Sequence, residues 1–293
     1  MTPIHNPLIS VIIAVWNGRA TIGRCLDAVR AQSLPSEELE IIVVDNGSTD
    51  GTAEIARSVP GVIVLTEHRP GSYAARNRGL AHARGTYVAF TDADCRPASD
   101  WLEKALAAAG RHPDAGVLAG RISLFEEGEA EGPVFTDYER LFSFPQSLAA
   151  RGNCATANWM SRRTIFEELG GFDHHLKSGG DRQMALRIRD AGLPLIYVPD
   201  MTVHHPVRGS RSDLVRKRRR LSGGRWNRTR QPARLARVLW ATTYDTARRL
   251  YRAAQSDLSA RRKLAIMQLT VELSVVASLE YWRLFRGRAA ARD

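Results

Sequence analysis

The sequence of 293 residues contains few cysteines and few landmarks of a secreted or membrane-spanning protein. Its three cysteines, Cys25, Cys95 and Cys154, are odd in number and far apart, so their spacing matches neither a disulfide framework nor a zinc site. The first residues lack a basic stretch followed by an apolar one, so we expect no signal peptide. These absences favour a reduced, cytoplasmic compartment.

Acidic residues are scarce in the last third of the chain. Residues 1–205 contain 20 Lys and Arg against 25 Asp and Glu, whereas residues 206–293 contain 22 against 6. The net charge of +11 therefore arises from a C-terminal segment that is strongly basic. Such asymmetry is typical of a segment that meets a polyanion, which includes nucleic acid, acidic lipid and anionic substrates.

Short β-branched runs alternate with helical periodicity through the first half of the chain. This alternation predicts β-α-β units, and hence a mostly parallel sheet flanked by helices. Two further short strands, 195–198 and 202–203, lead into His204 and His205, and residues 123–133 are predicted to form a surface loop. The predicted strands are 8–14, 40–45, 61–66 and 86–91, and the predicted helices are 20–32, 50–58 and 73–84.

Ligands of such sheets bind at the carboxyl ends of the strands, where this sequence places polar residues. Asp92, Ala93 and Asp94 follow one strand, and two carboxylates at this spacing can share Mg²⁺ or Mn²⁺. An isolated Asp-x-Asp pair is more often a solvated turn. The context of the neighbouring strands therefore decides between the two interpretations.

That context comes from the ends of the first two strands and from the helix after the third. Asp45 ends a buried strand, where its carboxylate can accept from a base N–H or a ribose hydroxyl. Trp16 ends the neighbouring strand, where stacking on a nucleobase and packing in the core are about equally expected. Arg76 is a candidate for contact with a base or phosphate, with a helix-surface position as the commoner alternative.

Seven ordered motifs resemble the family 2 glycosyltransferases of the GT-A fold. The similarity covers roughly residues 7–206 and implies a Rossmann-like catalytic domain over 1–206, followed by a basic helical extension. The motifs are VIIAVWN, IIVVDNGSTDGT, SYAARNRGLAHA, AFTDADC, GNCATANWMSRRTIFEELGGFD, SGGD and YVPDMTVHH.

The resemblance implies transfer of a sugar, with inversion, from a UDP- or GDP-linked donor to a hydroxyl acceptor. It implies a divalent ion, Mn²⁺ or Mg²⁺, held by Asp94 and His205 with Asp92, and His204 remains the alternative to His205. The residues that the resemblance assigns to the nucleotide-sugar donor are Val15, Trp16, Asn17, Asp45, Arg76, Asp92, Ala93 and Asp94.

The resemblance also assigns Asp181 as the base that deprotonates the acceptor. Asp181 begins a predicted helix, whose dipole favours the carboxylate, although an ordinary N-cap fits the same position. The family often has Glu where this chain has Gly180, so Asp181 is the only candidate base in the segment. The residues expected to shape the acceptor and sugar pocket are Asn158, Trp159, Gly180 and Arg182.

The basic extension is predicted to have two parts. Residues 207–233 are interpreted as a flexible basic loop over the donor site, and residues 234–293 as an amphipathic helical segment. Glu272 and Glu280 interrupt its apolar stretch, which argues against a membrane-spanning helix. Three interpretations of the extension remain. It lies on an anionic membrane, or it packs on protein, which includes a second subunit of a homodimer. Binding to nucleic acid is the least favoured of the three.

Two rival functions remain at the level of sequence. A nucleotidyltransferase is disfavoured, because VWNGRAT is a poor phosphate loop. A catalytically inactive sugar-nucleotide-binding protein, or a scaffold recruited to membranes, is disfavoured because all the candidate catalytic residues are present. The expected acceptor is a lipid-linked or polysaccharide glycan, and the expected location is the cytoplasm or the inner face of its membrane.

Overall fold

The computed structural model describes residues 7–128, 130–229 and 233–288. The chain divides into two compact units. The first consists of Met1–Ser123, Phe144–His175 and Gly180–His205, and the second of Leu124–Ser143, Leu176–Gly179 and Pro206–Asp293. The second unit thus includes two segments that lie within the predicted catalytic domain, besides the chain that follows residue 206.

The first unit is built around a mixed sheet of eight strands in the order β3-β2-β1-β4-β7-β6-β8-β5. β1 pairs in parallel with β2 and β4, and β2 with β3, whereas β7 runs antiparallel to β4 and β6. The predicted α/β class is confirmed. The strands are β1 (Ile9–Val15), β2 (Leu39–Asp45), β3 (Val62–Thr66), β4 (Tyr87–Asp92), β5 (Arg96–Pro97), β6 (Val117–Phe125), β7 (Trp159–Arg162) and β8 (Leu195–Pro206).

Burial explains why the early strands lack an alternating pattern. β1 and β2 are apolar on both faces, and most of their side chains are buried because helices cover a parallel sheet on both sides. α1 closes one face through Ile22, Cys25, Leu26 and Val29, which recur at helical spacing. The helices of this unit are α1 (Ile22–Arg30), α2 (Thr52–Arg57), α3 (Ser72–Leu80), α4 (Trp101–Arg111), α6 (Arg163–Leu169) and α7 (Gly180–Asp190).

β8 is one long strand rather than the two short ones predicted. It runs without a break from Leu195 to Pro206, and β5 pairs with its Val203 and His204. The predicted loop over 123–133 is also shorter, since β6 extends to Phe125.

The second unit consists mainly of four helices, and one of them replaces a predicted loop. They are α5 (Pro133–Phe142), α8 (Arg211–Arg228), α9 (Arg234–Ala254) and α10 (Ala260–Phe285). The expectation of a flexible loop across 207–233 is wrong over the length of α8. Ser210 caps this helix by accepting from the Asp213 amide at 3.1 Å, and Leu214 and Trp226 are buried. Arginine is a good helix former, so high charge alone does not predict a loop.

α10 is central to the apolar clusters of this unit. Its N-terminal half packs Ile266, Leu269 and Leu273 with residues of α5 and α8, and its C-terminal half packs Tyr281 and Leu284 with residues of α8 and α9. By length and composition alone, α10 is the one described helix that could cross a membrane. The predicted helical extension is confirmed.

Candidate functional site

The carboxyl end of β1 lies between two acidic residues of the neighbouring strands. In the sheet register Val15 is opposite Asp45 of β2, and Ala14 is opposite Asp92 of β4. Ala93 is buried directly after Asp92. The donor-site residues predicted from three strand ends therefore share one edge of the sheet.

Backbone hydrogen bonds fix the loops after β1 and β2 to each other. The Asn46 amide donates to the Val15 carbonyl at 2.8 Å, and the Thr49 amide donates to Oδ1 of Asn17 at 3.0 Å. Asn17 has a φ of 50°, a left-handed conformation that asparagine adopts more readily than most residues. The Asn17 side chain thus connects the loop after β1 to the loop after β2, and these two loops form the rim of the site.

Asp45 is buried and has an oxygen without a protein partner. Only 5% of the residue is exposed. Oδ2 accepts from the Ser48 amide at 3.2 Å, whereas the buried Oδ1 has no hydrogen-bond partner among the described residues. Buried polar atoms are rarely unsatisfied, so Oδ1 is suited to accept from a ligand N–H or hydroxyl. Trp16 is 38% exposed, which excludes the alternative of full burial in the core.

Arg76 lies inside the site rather than on a helix surface. It is 5% exposed, and one terminal nitrogen contacts Oδ1 of Asp92 at 2.7 Å. Its buried Nε has no hydrogen-bond partner among the described residues. Because a guanidinium stays protonated, Arg76 adds a fixed positive charge next to the acidic residues.

Asp92, Asp94, Cys95 and His205 form a cluster whose candidate ligand atoms all lie within 4.8 Å of one another. Nε2 of His205 lies 3.6 Å from Oδ2 of Asp94. His205 is buried, and its imidazole ring packs against the ring of Phe144, with the two ring centroids 4.7 Å apart. His204 points to the opposite face of β8, since successive strand residues alternate. The geometry selects His205 over His204.

The candidate ligand atoms of this cluster suit a hard divalent ion. Two carboxylates and one imidazole are ligands for Mg²⁺ and Mn²⁺, and Asp92 and Asp94 remain partly exposed. Cys95 was not predicted to be here, although it directly follows Asp94. Burial, reinforced by the two nearby carboxylates, raises the pKa of the Cys95 thiol well above its ordinary value. A soft thiol is a poor ligand for such ions, so we assign Cys95 to packing.

Asp181 lies at the start of α7 and is half-buried. Its Oδ1 accepts from the Arg182 amide at 2.9 Å and from the Tyr73 hydroxyl at 3.3 Å. Burial raises the pKa of Asp181 above its ordinary value, despite the hydrogen bonds and Arg76, which lower it. The helix dipole, which was expected to favour the carboxylate, is therefore outweighed by the desolvation of Asp181. Tyr73 was not predicted as part of the site.

Two residues expected in the sugar pocket are core residues instead. Asn158 is fully buried, where its side chain accepts from Trp101 and donates to backbone carbonyls. Trp159 is also fully buried and donates to Ser161 at 2.8 Å. Both sets of hydrogen bonds are internal, so this expectation is corrected. Gly180 is buried against Tyr73, and Arg182 is exposed.

Two proteins with similar sequences are named glycosyltransferases. The chain is 35% identical over 225 residues to glycosyltransferase AglE of Haloferax volcanii, covering 74% of this chain and 73% of the relative. It is 30% identical over 232 residues to the pre-mycofactocin glycosyltransferase of Mycobacterium tuberculosis, covering 74% of this chain but only 46% of that longer protein.

Solved structures show the same fold at low sequence identity. The mannosyltransferase PcManGT from Pyrobaculum calidifontis, in complex with GDP-Man and Mn²⁺, matches with a TM-score of 0.64 and 24% identity over 94% of this chain and 88% of that chain. TarS 1–349 of S. aureus in complex with UDP matches with a TM-score of 0.56 and 18% identity over 96% of this chain and 92% of that chain. These matches show the GT-A fold.

The family described as "Glycosyl transferase family 2" matches residues 10–170, which is more than half of the chain. This match agrees with the long alignment to AglE and with the arrangement of strand-end residues. The chain is therefore a glycosyltransferase of the GT-A fold and belongs to glycosyl transferase family 2.

Proposed function

We propose that this protein transfers a sugar, with inversion, from a UDP- or GDP-linked donor to a hydroxyl of a glycan or lipid-linked acceptor. The observation that carries the proposal is that Asp92, Asp94 and His205 come together in one cluster. Their candidate ligand atoms and the Cys95 sulfur all lie within 4.8 Å of one another. This cluster is at the sheet edge that also contains the unsatisfied oxygen of Asp45.

The nucleotide is recognised at the ends of β1 and β2. Trp16 stacks on the base, and Oδ1 of Asp45 accepts from a base N–H or a ribose hydroxyl. Val15 and Asn17 hold the rim, while Asp92 and Ala93 line the approach to the diphosphate. Arg76, fixed by Asp92, contributes positive charge next to the diphosphate. The neighbours PcManGT and TarS, solved with GDP-Man and UDP-GlcNAc, support a nucleotide-sugar donor.

Asp94, His205 and Asp92 would hold Mn²⁺ or Mg²⁺. Such an ion neutralises charge on a departing nucleoside diphosphate. The mannosyltransferase PcManGT was solved with Mn²⁺, which supports a divalent metal as cofactor. The carboxylates are poised for this role because both are partly exposed, whereas the imidazole is buried and oriented by Phe144.

Asp181 is the base. Its carboxylate takes the proton from the acceptor hydroxyl as that oxygen forms a bond to the anomeric carbon, while the bond from that carbon to the diphosphate breaks. The nucleophile attacks opposite the leaving group, which inverts the anomeric configuration in one displacement. Gly180 and Arg182 flank the base on the acceptor side.

The second unit provides a surface for an anionic membrane. α10 exposes a stripe of six large apolar side chains on the face opposite its buried one, and α9 exposes Trp240, Tyr244 and Tyr251. With 22 basic against 6 acidic residues in 206–293, a second copy of this chain would be repelled, while acidic lipid would be attracted. The α10 stripe consists of Leu264, Val271, Val275, Leu279, Trp282 and Phe285.

This surface favours a lipid-linked acceptor and a peripheral location on the inner face of the membrane. Flotation with vesicles of phosphatidylglycerol and phosphatidylcholine tests it. We expect the protein to float with anionic vesicles, and Leu279→Glu to lose flotation. The matched control is Leu148→Glu, at an exposed leucine outside the second unit (64% and 40% exposed, respectively). Dimerisation, with no flotation, would replace this proposal by the subunit alternative.

The activity is tested with a panel of UDP- and GDP-sugars in Mn²⁺ or Mg²⁺. Binding is measured by calorimetry, and products are identified by mass spectrometry, with water or a polyprenyl-diphosphate-linked sugar as acceptor. We expect donor binding that depends on Asp45 and turnover that depends on Asp94 and Asp181. A protein that binds a donor but never turns it over would be the inactive binding protein, and one that binds no donor would contradict both.

A further inference from the structure

Tyr73 is a buried aromatic residue that connects the donor side of the site to the base. It lies in the first turn of α3, where its ring stacks on Phe172 with centroids 5.8 Å apart. The guanidinium carbon of Arg76 lies 5.6 Å from the centroid of the same ring. The Tyr73 hydroxyl reaches Oδ1 of Asp181 at 3.3 Å. The contacts with Phe172, Arg76 and Asp181 therefore restrict the movement of the phenol.

The ring of Tyr73 also explains the glycine that precedes the base. A Cβ atom on residue 180 would lie 2.8 Å from Cε2 of Tyr73 and 2.9 Å from two further ring atoms. Such distances are clashes, so a side chain on residue 180 would push the Tyr73 ring out of its present position. Gly180 is not among the glycines with positive φ, so space rather than backbone conformation requires glycine here. This chain thus has an aromatic ring where a side chain on residue 180 would lie.

The two oxygens of Asp181 have different surroundings. Oδ1 accepts from both the Arg182 amide and the Tyr73 hydroxyl. Oδ2 has no hydrogen bond to any residue in the described part of the chain. Two donors on one oxygen fix the rotation of the carboxylate, and they leave the other oxygen to receive a proton.

We propose that Tyr73 is a positioning residue that holds Oδ1 of Asp181, so that Oδ2 faces the acceptor hydroxyl, and that Gly180 is the residue that gives its ring room. This inference rests on the proposed role of Asp181 as base. Tyr73 does not itself exchange a proton, since burial raises its pKa above the ordinary value.

The groups that surround Asp181 determine how it responds to the loss of this hydrogen bond. Arg76 of α3 favours the carboxylate, whereas Asp92 of β4 disfavours it, and the Tyr73 hydroxyl and the Arg182 amide stabilise the ionised form. Cys154 also lies within electrostatic range of Asp181. Of these contributions, Tyr73→Phe removes only the hydroxyl and keeps the ring that packs against Phe172 and Gly180.

The first experiment needs no substrate. The full-length protein is labelled with ¹³C at the Asp carboxyl carbons, the Asp181 signal is assigned with Asp181→Asn, and its titration is followed by NMR. Losing a hydrogen bond worth about 1 kcal/mol should raise the pKa of Asp181 by about 0.5 to 1 in Tyr73→Phe. Tyr197→Phe, on β8 and well before His205, is the matched control and should leave it unchanged. An unchanged titration in Tyr73→Phe would overturn the proposal.

The second variant tests the role of Gly180. In Gly180→Ala, the added methyl group should displace the Tyr73 ring and raise the pKa of Asp181 in the same direction. Because the added methyl group can also disturb packing, the thermal unfolding midpoint of Gly180→Ala is measured as well. A folded Gly180→Ala protein with the wild-type titration would show that residue 180 does not govern the position of Tyr73.

Turnover of GDP-mannose and UDP-N-acetylglucosamine separates this inference from the proposed function. We expect Tyr73→Phe to lower kcat about tenfold with little change in KM, and to move the rising limb of the pH profile upward. If Asp181→Asn retains wild-type kcat, the base assignment fails. If Asp181→Asn is inactive while Tyr73→Phe matches wild type in kcat and pH profile, the base assignment stands and the Tyr73 inference fails alone.

Discussion

Nε2 of His205 lies 3.6 Å from Oδ2 of Asp94, although the two residues come from β8 and from the turn after β4. At this separation the pair either shares a cation or forms a weak ion pair. A structural ion pair would not require Asp92 within the same cluster, whereas a metal site benefits from a third ligand, here a second carboxylate oxygen. The presence of Asp92 therefore favours a shared divalent ion over a simple ion pair.

Asp94→Asn should remove metal-dependent turnover while leaving the fold intact. The amide keeps the shape of the side chain but loses the charge that a divalent ion needs. Loss of about 3 kcal/mol of charge stabilisation corresponds to a decrease in kcat of about 100-fold. Binding of Mn²⁺ is followed by calorimetry in the presence of UDP or GDP. Asp114→Asn, at an exposed aspartate, is the control, and equal Mn²⁺ affinity in both variants would contradict the metal assignment.

Asp45→Asn should weaken nucleotide binding without a matching effect on the metal. The substitution replaces a carboxylate oxygen by an N–H₂ group, so one acceptor for a base N–H or ribose hydroxyl is lost. One hydrogen bond to a charged group is worth about 1.5 to 3 kcal/mol, which predicts a tenfold or larger increase in Kd. Titrations with UDP and GDP measure it and also reveal which base is preferred. An unchanged Kd for both nucleotides would remove Asp45 from the donor site.

The sequence predicted the strand-end residues well, because that prediction depends only on local patterns. Buried runs followed by polar residues locate Asp45 and Asp92, and parallel pairing brings them to one edge. Tyr73 could not be predicted in the same way. Its contact with Asp181 depends on how α3 packs against the start of α7, which is set by tertiary structure.

The errors have a common physical origin in burial. Charge density suggested a loop where α8 is helical, but Leu214 and Trp226 are buried and arginine favours helix. Asn158 and Trp159 were expected in the sugar pocket, yet their hydrogen bonds are satisfied inside the core. A single sequence does not reveal whether a polar group has an internal partner.

The pH profile of turnover should report the raised pKa of Asp181. The base acts when ionised, so kcat should rise with pH through a value above the ordinary range of aspartate. The variant Asp181→Asn should have a flat, low profile. A rising limb at the ordinary aspartate value would mean that Asp181 is solvated during catalysis.

The same raised pKa has a consequence for stability. The folded state favours protonated Asp181, so protonation of this residue contributes to the free energy of unfolding. That contribution is complete below the pKa of Asp181 in the unfolded chain, and it is lost as pH rises through the pKa in the folded protein. Asp181→Asn should therefore melt higher than wild type at pH 7.5, and the difference should vanish near pH 3. Calorimetric scans at the two pH values measure it, and the opposite order would contradict the sign.

A buried charge cluster stabilises the second unit. Glu139 is fully buried and accepts from Lys217 at 2.7 Å, from Ser143 at 2.8 Å and from Arg208 at 3.1 Å. Lys217→Met would leave this carboxylate with fewer donors, so unfolding should become easier by about 3 kcal/mol. Lys104→Met, at a half-exposed lysine whose ion pair with Asp100 is open to solvent, should cost much less.

The cost of Lys217→Met should also depend on pH. Burial lowers the pKa of Lys217 to about 8, despite its contact with Glu139. At pH values between about 8 and the ordinary pKa of lysine, the unfolded chain binds more protons at Lys217 than the folded chain does. The contribution of Lys217 to the free energy of unfolding therefore rises with pH in this window, and it is reduced as pH falls through about 8. Urea unfolding at pH 7.5 and 9.5 should therefore show a larger gap between wild type and Lys217→Met at the higher pH. A gap that narrows would mean that the ion pair with Glu139 outweighs the desolvation of the amine.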